Sequence, residues 1–194
     1  MLVCDLRHFL ELPDEAPGPA HRLAEQLAAL ARAATARQCG VRWISALPCR
    51  RRPGHRRCPG RMSVLCADPS GPIEWVCTAC SDAGTITGWQ DSPFDLRRRH
   101  PTPRSPVHHL RIPDEVATTL RELMLLDTDC ERAVFGAYVH GDDIVLPVSD
   151  DDLEGLIGSV AADANHEPNR RRQQRLDTAV TVLEEAAENP LHPC

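Results

Sequence analysis

The chain has 194 residues, of which 42% are hydrophobic, 26% charged and only 4% aromatic, with a formal net charge of −6. That length suits one or two small domains with a real core, and the acidic total argues against a nucleic-acid protein of the strongly basic kind. All 22 basic side chains are Arg and none is Lys, which excludes a Schiff base, a phosphate-loop Lys and a Lys general base.

The total conceals three segments of different charge. Residues 1–40 carry four Arg against five acids, residues 41–105 eleven Arg against five acids, and residues 106–194 seven Arg against eighteen acids. The middle is therefore +6 and the end −11, an asymmetry that suggests two working surfaces or two parts that attract each other. The expected fold class is α+β. It comprises an N-terminal helical segment over 1–40, a small β-rich, cysteine-bearing segment over 41–92, a Pro/Arg-rich linker over 93–106, and an acidic α/β domain with C-terminal helices over 107–194.

The first segment reads as a short capped turn, a Pro/Gly break from Pro13 to Pro19, and then a helix. Leu23, Leu27, Leu30 and Ala34 repeat at +4, +3, +4 and make one apolar stripe, which Cys39-Gly40 ends. Asp5, Arg7 and His8 interrupt the apolar run that a signal peptide needs, and no window approaches the ~18 apolar residues of a membrane span. Together these predict a cytoplasmic protein with no membrane partner.

In the middle segment the period changes to two. Val41 and Trp43, then Met62, Val64 and Cys66, then Ile73, Trp75 and Cys77, then Thr85, Thr87 and Trp89 alternate between turn signals such as Pro53-Gly54, Pro59-Gly60 and Ala83-Gly84. So few large apolar residues could hardly support a core unaided. From Asp91 to Pro106 the chain turns Pro- and Arg-rich, with the run Arg97-Arg-Arg-His100, and reads as an extended linker.

The last segment has a β-α-β-β-α rhythm followed by a final helix. Val107 to Ile112 reads as a strand, and Pro113-Asp114-Glu115 opens a helix buried through Val116, Leu120 and Leu123. Ala133–Val139 and Ile144–Val148 read as strands flanking a hairpin turn at His140-Gly-Asp-Asp143. Ser149 or Asp150 caps a helix with Leu153, Leu156, Ile157, Val160 and Ala164 inward, and a last helix carries Leu176, Val180, Leu183 and Ala187.

Nine Cys stand at 4, 39, 49, 58, 66, 77, 80, 130 and 194. In a reducing compartment, closely spaced Cys are metal ligands before they are disulfides. Cys77-Thr-Ala-Cys80 follows a strand into a turn, a setting that aims two sulfurs at one ion and leaves backbone amides free to donate to them. Cys49 and Cys58 supply two further sulfurs, giving Cys-x8-Cys-x18-Cys-x2-Cys. Across about residues 43–90, Cys49, Cys58-Pro-Gly60, Trp75-Val-Cys-Thr-Ala-Cys80, Gly84 and Gly88-Trp89 resemble the zinc-ribbon class. The resemblance implies a structural zinc that holds an otherwise undersized sheet. The eight-residue gap is wider than usual, so His55 or Cys66 could stand in for Cys49. A redox Cys-x-x-Cys is the rival reading, but that motif normally opens a helix in a βαβ setting.

Arg50, Arg51, Arg52, Arg56 and Arg57 share the loop between Cys49 and Cys58. They could offset the negative charge of a four-thiolate site, or make forked contacts with nucleic-acid phosphates. Trp43, Trp75 and Trp89 could stack on bases, although at strand spacing they suit the small core. No catalytic set is identifiable: His108-His109, Asn165-His166-Glu167 and Asp150-Asp-Asp152 lack partners, and no nucleophile-elbow, phosphate-loop or dinucleotide signature occurs.

The leading expectation is a zinc-ribbon regulatory or adaptor protein, its basic ribbon contacting nucleic acid and its acidic domain binding protein or dimerising. The alternatives are a pure protein-interaction module with structural zinc, and an enzyme whose inter-domain site leaves no mark in sequence. No small-molecule substrate is indicated.

Overall fold

The alternating residues of the middle segment pair into an antiparallel sheet. In this computed structural model, which describes residues 1–99 and 106–188, the strands are β2 (Trp43–Pro48), β3 (Arg61–Cys66), β4 (Ile73–Cys77) and β5 (Ala83–Thr87). β3 pairs with β2 and β4, and β4 with β5, all antiparallel. The β2–β3 ladder shifts register between Ile44 and Pro48, a bulge that ends one residue before Cys49. The chain divides into two compact units, Met1–Arg98 and Arg99–Cys194.

The first unit departs from expectation at its start. Residues Leu2–Asp5 form a strand, β1, that pairs in parallel with β5 from Leu2↔Gly84 to Asp5↔Thr87. Four residues are too short a run to announce a strand, and their partner lies some eighty positions away. Gly84 allows the approach, because a Cβ there would overlap the Leu2 carbonyl and sit 2.8 Å from the Trp75 ring. A single 3-10 turn, Leu6–Phe9, follows; Asp5 caps it by accepting the Arg7 amide, and the Arg7 guanidinium holds the Asp5 carboxyl at about 2.

Helix α1 (Gly18–Thr35) packs on β2, β3 and β4. Leu27, Leu30 and Ala34 are buried as the stripe predicts, while Leu23 is only half-buried. The helix stops at Thr35, short of Cys39-Gly40, and Thr35 ties it to a later segment. Its hydroxyl donates to the Ala31 carbonyl at 2.7 Å and accepts the Leu96 amide at 3.1 Å. The stretch 94–97, read from sequence as part of a linker, is thereby held against the core. Leu96 is fully buried, Arg32 stacks on Phe94 at 4.4 Å, and the buried Asp95 pairs with Arg97 at 2.9 Å. The rest of that linker, from residue 100 to residue 105, lies outside the described residues. Leu6, Leu27, Leu30, Met62, Ile73, Ile86, Trp89 and Leu96 make the core, all essentially without solvent contact.

In the second unit the order is strand, two helices, two strands, two helices. β6 (Val107–Ile112) and β7 (Tyr138–His140) flank β8 (Asp143–Ser149), both antiparallel to it. Helices α2 (Asp114–Arg121), α3 (Thr128–Phe135), α4 (Asp150–His166) and α5 (Arg170–Glu188) complete it. The correction is α3. Residues 133–135, expected to begin a strand, end a helix capped by Asp127, whose carboxylate accepts the amides of Asp129 and Cys130, both at 2.9 Å. The strand is confined to Tyr138–His140, and the hairpin turn stands where expected. Ser149 caps α4 by accepting the Asp152 amide at 3.2 Å. Leu153, Leu156, Val160 and Ala164 of α4 and Leu176, Ala179 and Leu183 of α5 are buried. Ala187 is exposed, so the inward face of α5 ends one turn earlier than its stripe suggests.

Candidate metal centre

Four Cys separated by up to thirty-one residues converge at the end of the β2–β3–β4 sheet. The Sγ atoms of Cys49, Cys58, Cys77 and Cys80 all lie within 4.8 Å of one another, a cluster that could hold a metal ion. Cys49 leaves β2 directly after the bulge, Cys58 and Gly60 lead into β3, Cys77 ends β4, and Cys80 closes the turn before β5. The wide Cys49–Cys58 gap is spanned by the Arg loop, which lies outside the cluster, while the two turns themselves are bound together. Cys49 N donates to the Gly60 carbonyl at 2.8 Å, Thr78 N to the Arg61 carbonyl at 2.9 Å, and Arg61 N to Thr78 Oγ1 at 3.0 Å.

The sulfur spacing is informative. Cys49 and Cys80 are 3.8 Å apart and Cys58 and Cys77 are 3.7 Å apart. A tetrahedral zinc with bonds of about 2.3 Å requires sulfur–sulfur edges of roughly 3.8 Å. A disulfide needs about 2.0 Å, so the cluster suits an ion and not two bridges.

Backbone donors complete the set. Arg51 N reaches Cys49 Sγ at 3.5 Å, Gly60 N reaches Cys58 Sγ at 3.4 Å, and Ala79 N reaches Cys77 Sγ at 3.4 Å. The Asp82 amide does the same for Cys80. Each of the four sulfurs thus accepts an amide from two residues ahead, the outer-sphere donation that steadies thiolate ligands. Burial pushes the Cys49 thiol well up. Burial acts on Cys77 in the same direction, but the amides of Ala79 and Cys80 outweigh it and its thiol lies below the ordinary value.

Gly60 is dictated by this packing. A Cβ there would overlap Cys77 Sγ and lie 2.8 Å from Ala79 Cβ and 2.9 Å from Ala79 N. The substitutes considered for Cys49 are placed elsewhere. His55 is exposed in the 3-10 turn Pro53–His55, with φ of 64°, and Cys66 lies beside Cys39.

The five loop arginines are all exposed but not equivalent. Arg50 Nη1 donates to the Arg22 carbonyl at 2.8 Å and lies 3.5 Å from Glu25, and Arg51 lies 3.6 Å from Asp82. Arg52, Arg56 and Arg57 have no acidic partner among the described residues. Of the three Trp, Trp75 and Trp89 are buried and offer no face to a base, and Arg37 covers the half-buried Trp43 at 5.0 Å.

No family model, curated protein or solved structure matches this chain. Among the described residues no helix is long and apolar enough to cross a membrane.

Proposed function

We propose that the chain is a protein-interaction module built around one structural zinc held by Cys49, Cys58, Cys77 and Cys80. The observation that carries this reading is the four-sulfur cluster, two of whose edges match a tetrahedral zinc, each sulfur with its own amide donor. Four thiolates fill a tetrahedral ion and leave no position for water or substrate, which is the pattern of a structural and not a catalytic site. What remains for the surface is contact. Met124 and Leu125, between α2 and α3, are 84% and 85% exposed and offer an apolar point of attachment for a protein partner.

Cobalt substitution tests the closed site. Co(II)-loaded protein should show the intense visible bands and the sulfur charge-transfer absorption of a tetrahedral four-thiolate ion. Imidazole or cyanide should leave that spectrum unchanged. A spectrum that shifts on adding either ligand means an open position, and the structural reading is then wrong.

A second reading, nucleic-acid contact through the Arg loop, has one observation in its favour. Arg50 and Arg51 are engaged by Glu25 and Asp82, yet Arg52, Arg56 and Arg57 face solvent with no acid to neutralise them among the described residues. If they meet phosphates, replacing the three by Ala should reduce the salt slope of DNA or RNA binding by about 2–3, since each neutralised phosphate contributes roughly 0.7–0.9. Wild-type protein showing no salt-dependent retention of either polymer would rule this reading out.

A further inference from the structure

Cys39 and Cys66 form a second sulfur pair in the same unit, apart from the four-Cys cluster. Their Sγ atoms are 2.8 Å apart, much closer than the 3.7 and 3.8 Å edges of the cluster. The surrounding donors also differ. Among the described residues no amide donates to Cys66 Sγ; it instead donates to the Asp68 carbonyl at 3.5 Å, as a protonated thiol does. A backbone bond holds the two segments in place, with Gly40 N donating to the Cys66 carbonyl at 2.8 Å.

The two thiols are unequal. Cys66 is 2% exposed, and burial followed by its contact with Cys39 pushes it up to about 12. Cys39 is half-exposed and has the Arg97 guanidinium 4.0 Å from its sulfur. That cation is fixed from four sides. It pairs with the buried Asp95 at 2.9 Å, donates to the Pro69 carbonyl at 2.8 Å, lies over the Trp89 ring at 4.0 Å, and touches Cys39. A partly accessible sulfur in contact with a buried one is the arrangement in which the first can be oxidised and the second is placed to resolve the product.

We propose that Cys39 and Cys66 are a reversible redox-modification site whose substrate is a hydroperoxide, with Cys39 attacking and Cys66 resolving. The Cys39 thiolate attacks the terminal peroxide oxygen and the O–O bond breaks. The alkoxide takes a proton and departs as the alcohol, or as water from hydrogen peroxide, leaving Cys39 as the sulfenic acid. Cys66 Sγ then attacks Cys39 Sγ, the S–O bond breaks, and the hydroxide leaves as water with the Cys66 proton. Two thiols surrender two electrons and two protons, and the peroxide is reduced to alcohol and water. A dithiol reductant reverses the change by exchange. The inference does not depend on the role proposed for the zinc.

The test uses full-length, zinc-loaded protein treated with hydrogen peroxide, then denatured and alkylated. Of nine Cys, seven should take the label after peroxide and all nine after dithiothreitol, with fragment spectra placing the bridge at Cys39–Cys66. Zinc content should not change. Cys66→Ser should leave a sulfenic acid on Cys39 that one 1,3-diketone molecule traps, and Cys39→Ser should react about tenfold more slowly or less. Three results would each overturn the proposal. One is nine labels after peroxide. Another is loss of label only together with zinc. The third is a bridge already complete in untreated protein and resistant to dithiothreitol under native conditions, which would make it a fixed cross-link.

Discussion

Replacing Cys77 by Ser should abolish stable zinc retention and unfold the first unit. Serine supplies a weak neutral oxygen where the ion requires a thiolate, and three remaining sulfurs would be left buried around a deficient site. Zinc binding by small structural sites contributes on the order of 10 kcal/mol. Ordinary domains are stable by only about 5–15 kcal/mol in total, so a sheet with this few large apolar residues has little reserve. The chain provides its own probe, because all three Trp belong to the first unit and Trp75 and Trp89 are buried there. Cys77→Ser, Cys80→Ser and chelator-treated wild type should all show Trp emission moved to longer wavelength and quenching by iodide. Zinc added back should restore the wild type alone. Because thiols must lose protons to bind, retention should also weaken as pH falls. A metal-free protein with unchanged Trp emission would refute the account.

Gly60→Ala is expected to weaken metal binding although it removes no sulfur. The added methyl would overlap Cys77 Sγ and press on Ala79 N at 2.9 Å, a backbone atom that no rotamer change can move. Either the Cys58 turn or the Cys77 turn must withdraw, and both hold donors. Overpacking of this kind costs about 1–3 kcal/mol, which on the cluster corresponds to metal binding weakened roughly 5- to 150-fold. Competition with a chromogenic chelator measures this directly. Gly158→Ala in α4 is the control, since a Cβ there meets no atom within 4 Å and should stabilise the helix by about 0.5–1 kcal/mol. If Gly60→Ala binds zinc as tightly as wild type, the packing argument fails.

The site was legible in the sequence to the extent that its chemistry is local. Cys77-x-x-Cys80 and Cys58-Pro-Gly60 announce themselves because spacing and turn residues sit within a few positions, and β2 to β5 follow from alternation. Cys49 was the uncertain donor, and what places it, the bulge in β2 and the Cys49 N to Gly60 carbonyl bond, depends on a neighbouring strand. The same limit explains the misreadings. β1 exists only by pairing with β5, and the stretch after Ser92 is tied to α1 by the Thr35–Leu96 bond, sixty-one residues apart. In α3 the β-formers Val134 and Phe135 obscured a cap at Asp127 that was present in the sequence. The Cys39–Cys66 pair had no local signal at all: a helix exit and a strand end meet across twenty-seven positions.

The parallel pairing of β1 with β5 also orders events in time. β1 leaves the ribosome well before its partner and cannot be placed until residues 83–87 have emerged, several seconds later at about 5–20 residues per second. All four clustered Cys have emerged by residue 80, three positions before β5 begins. Metal capture can therefore precede closure of the sheet, and β1 finds a preassembled edge instead of searching an unfolded chain. A nascent protein short of zinc would present that unpaired edge of β5 to its neighbours, and its first failure would be aggregation through an open strand.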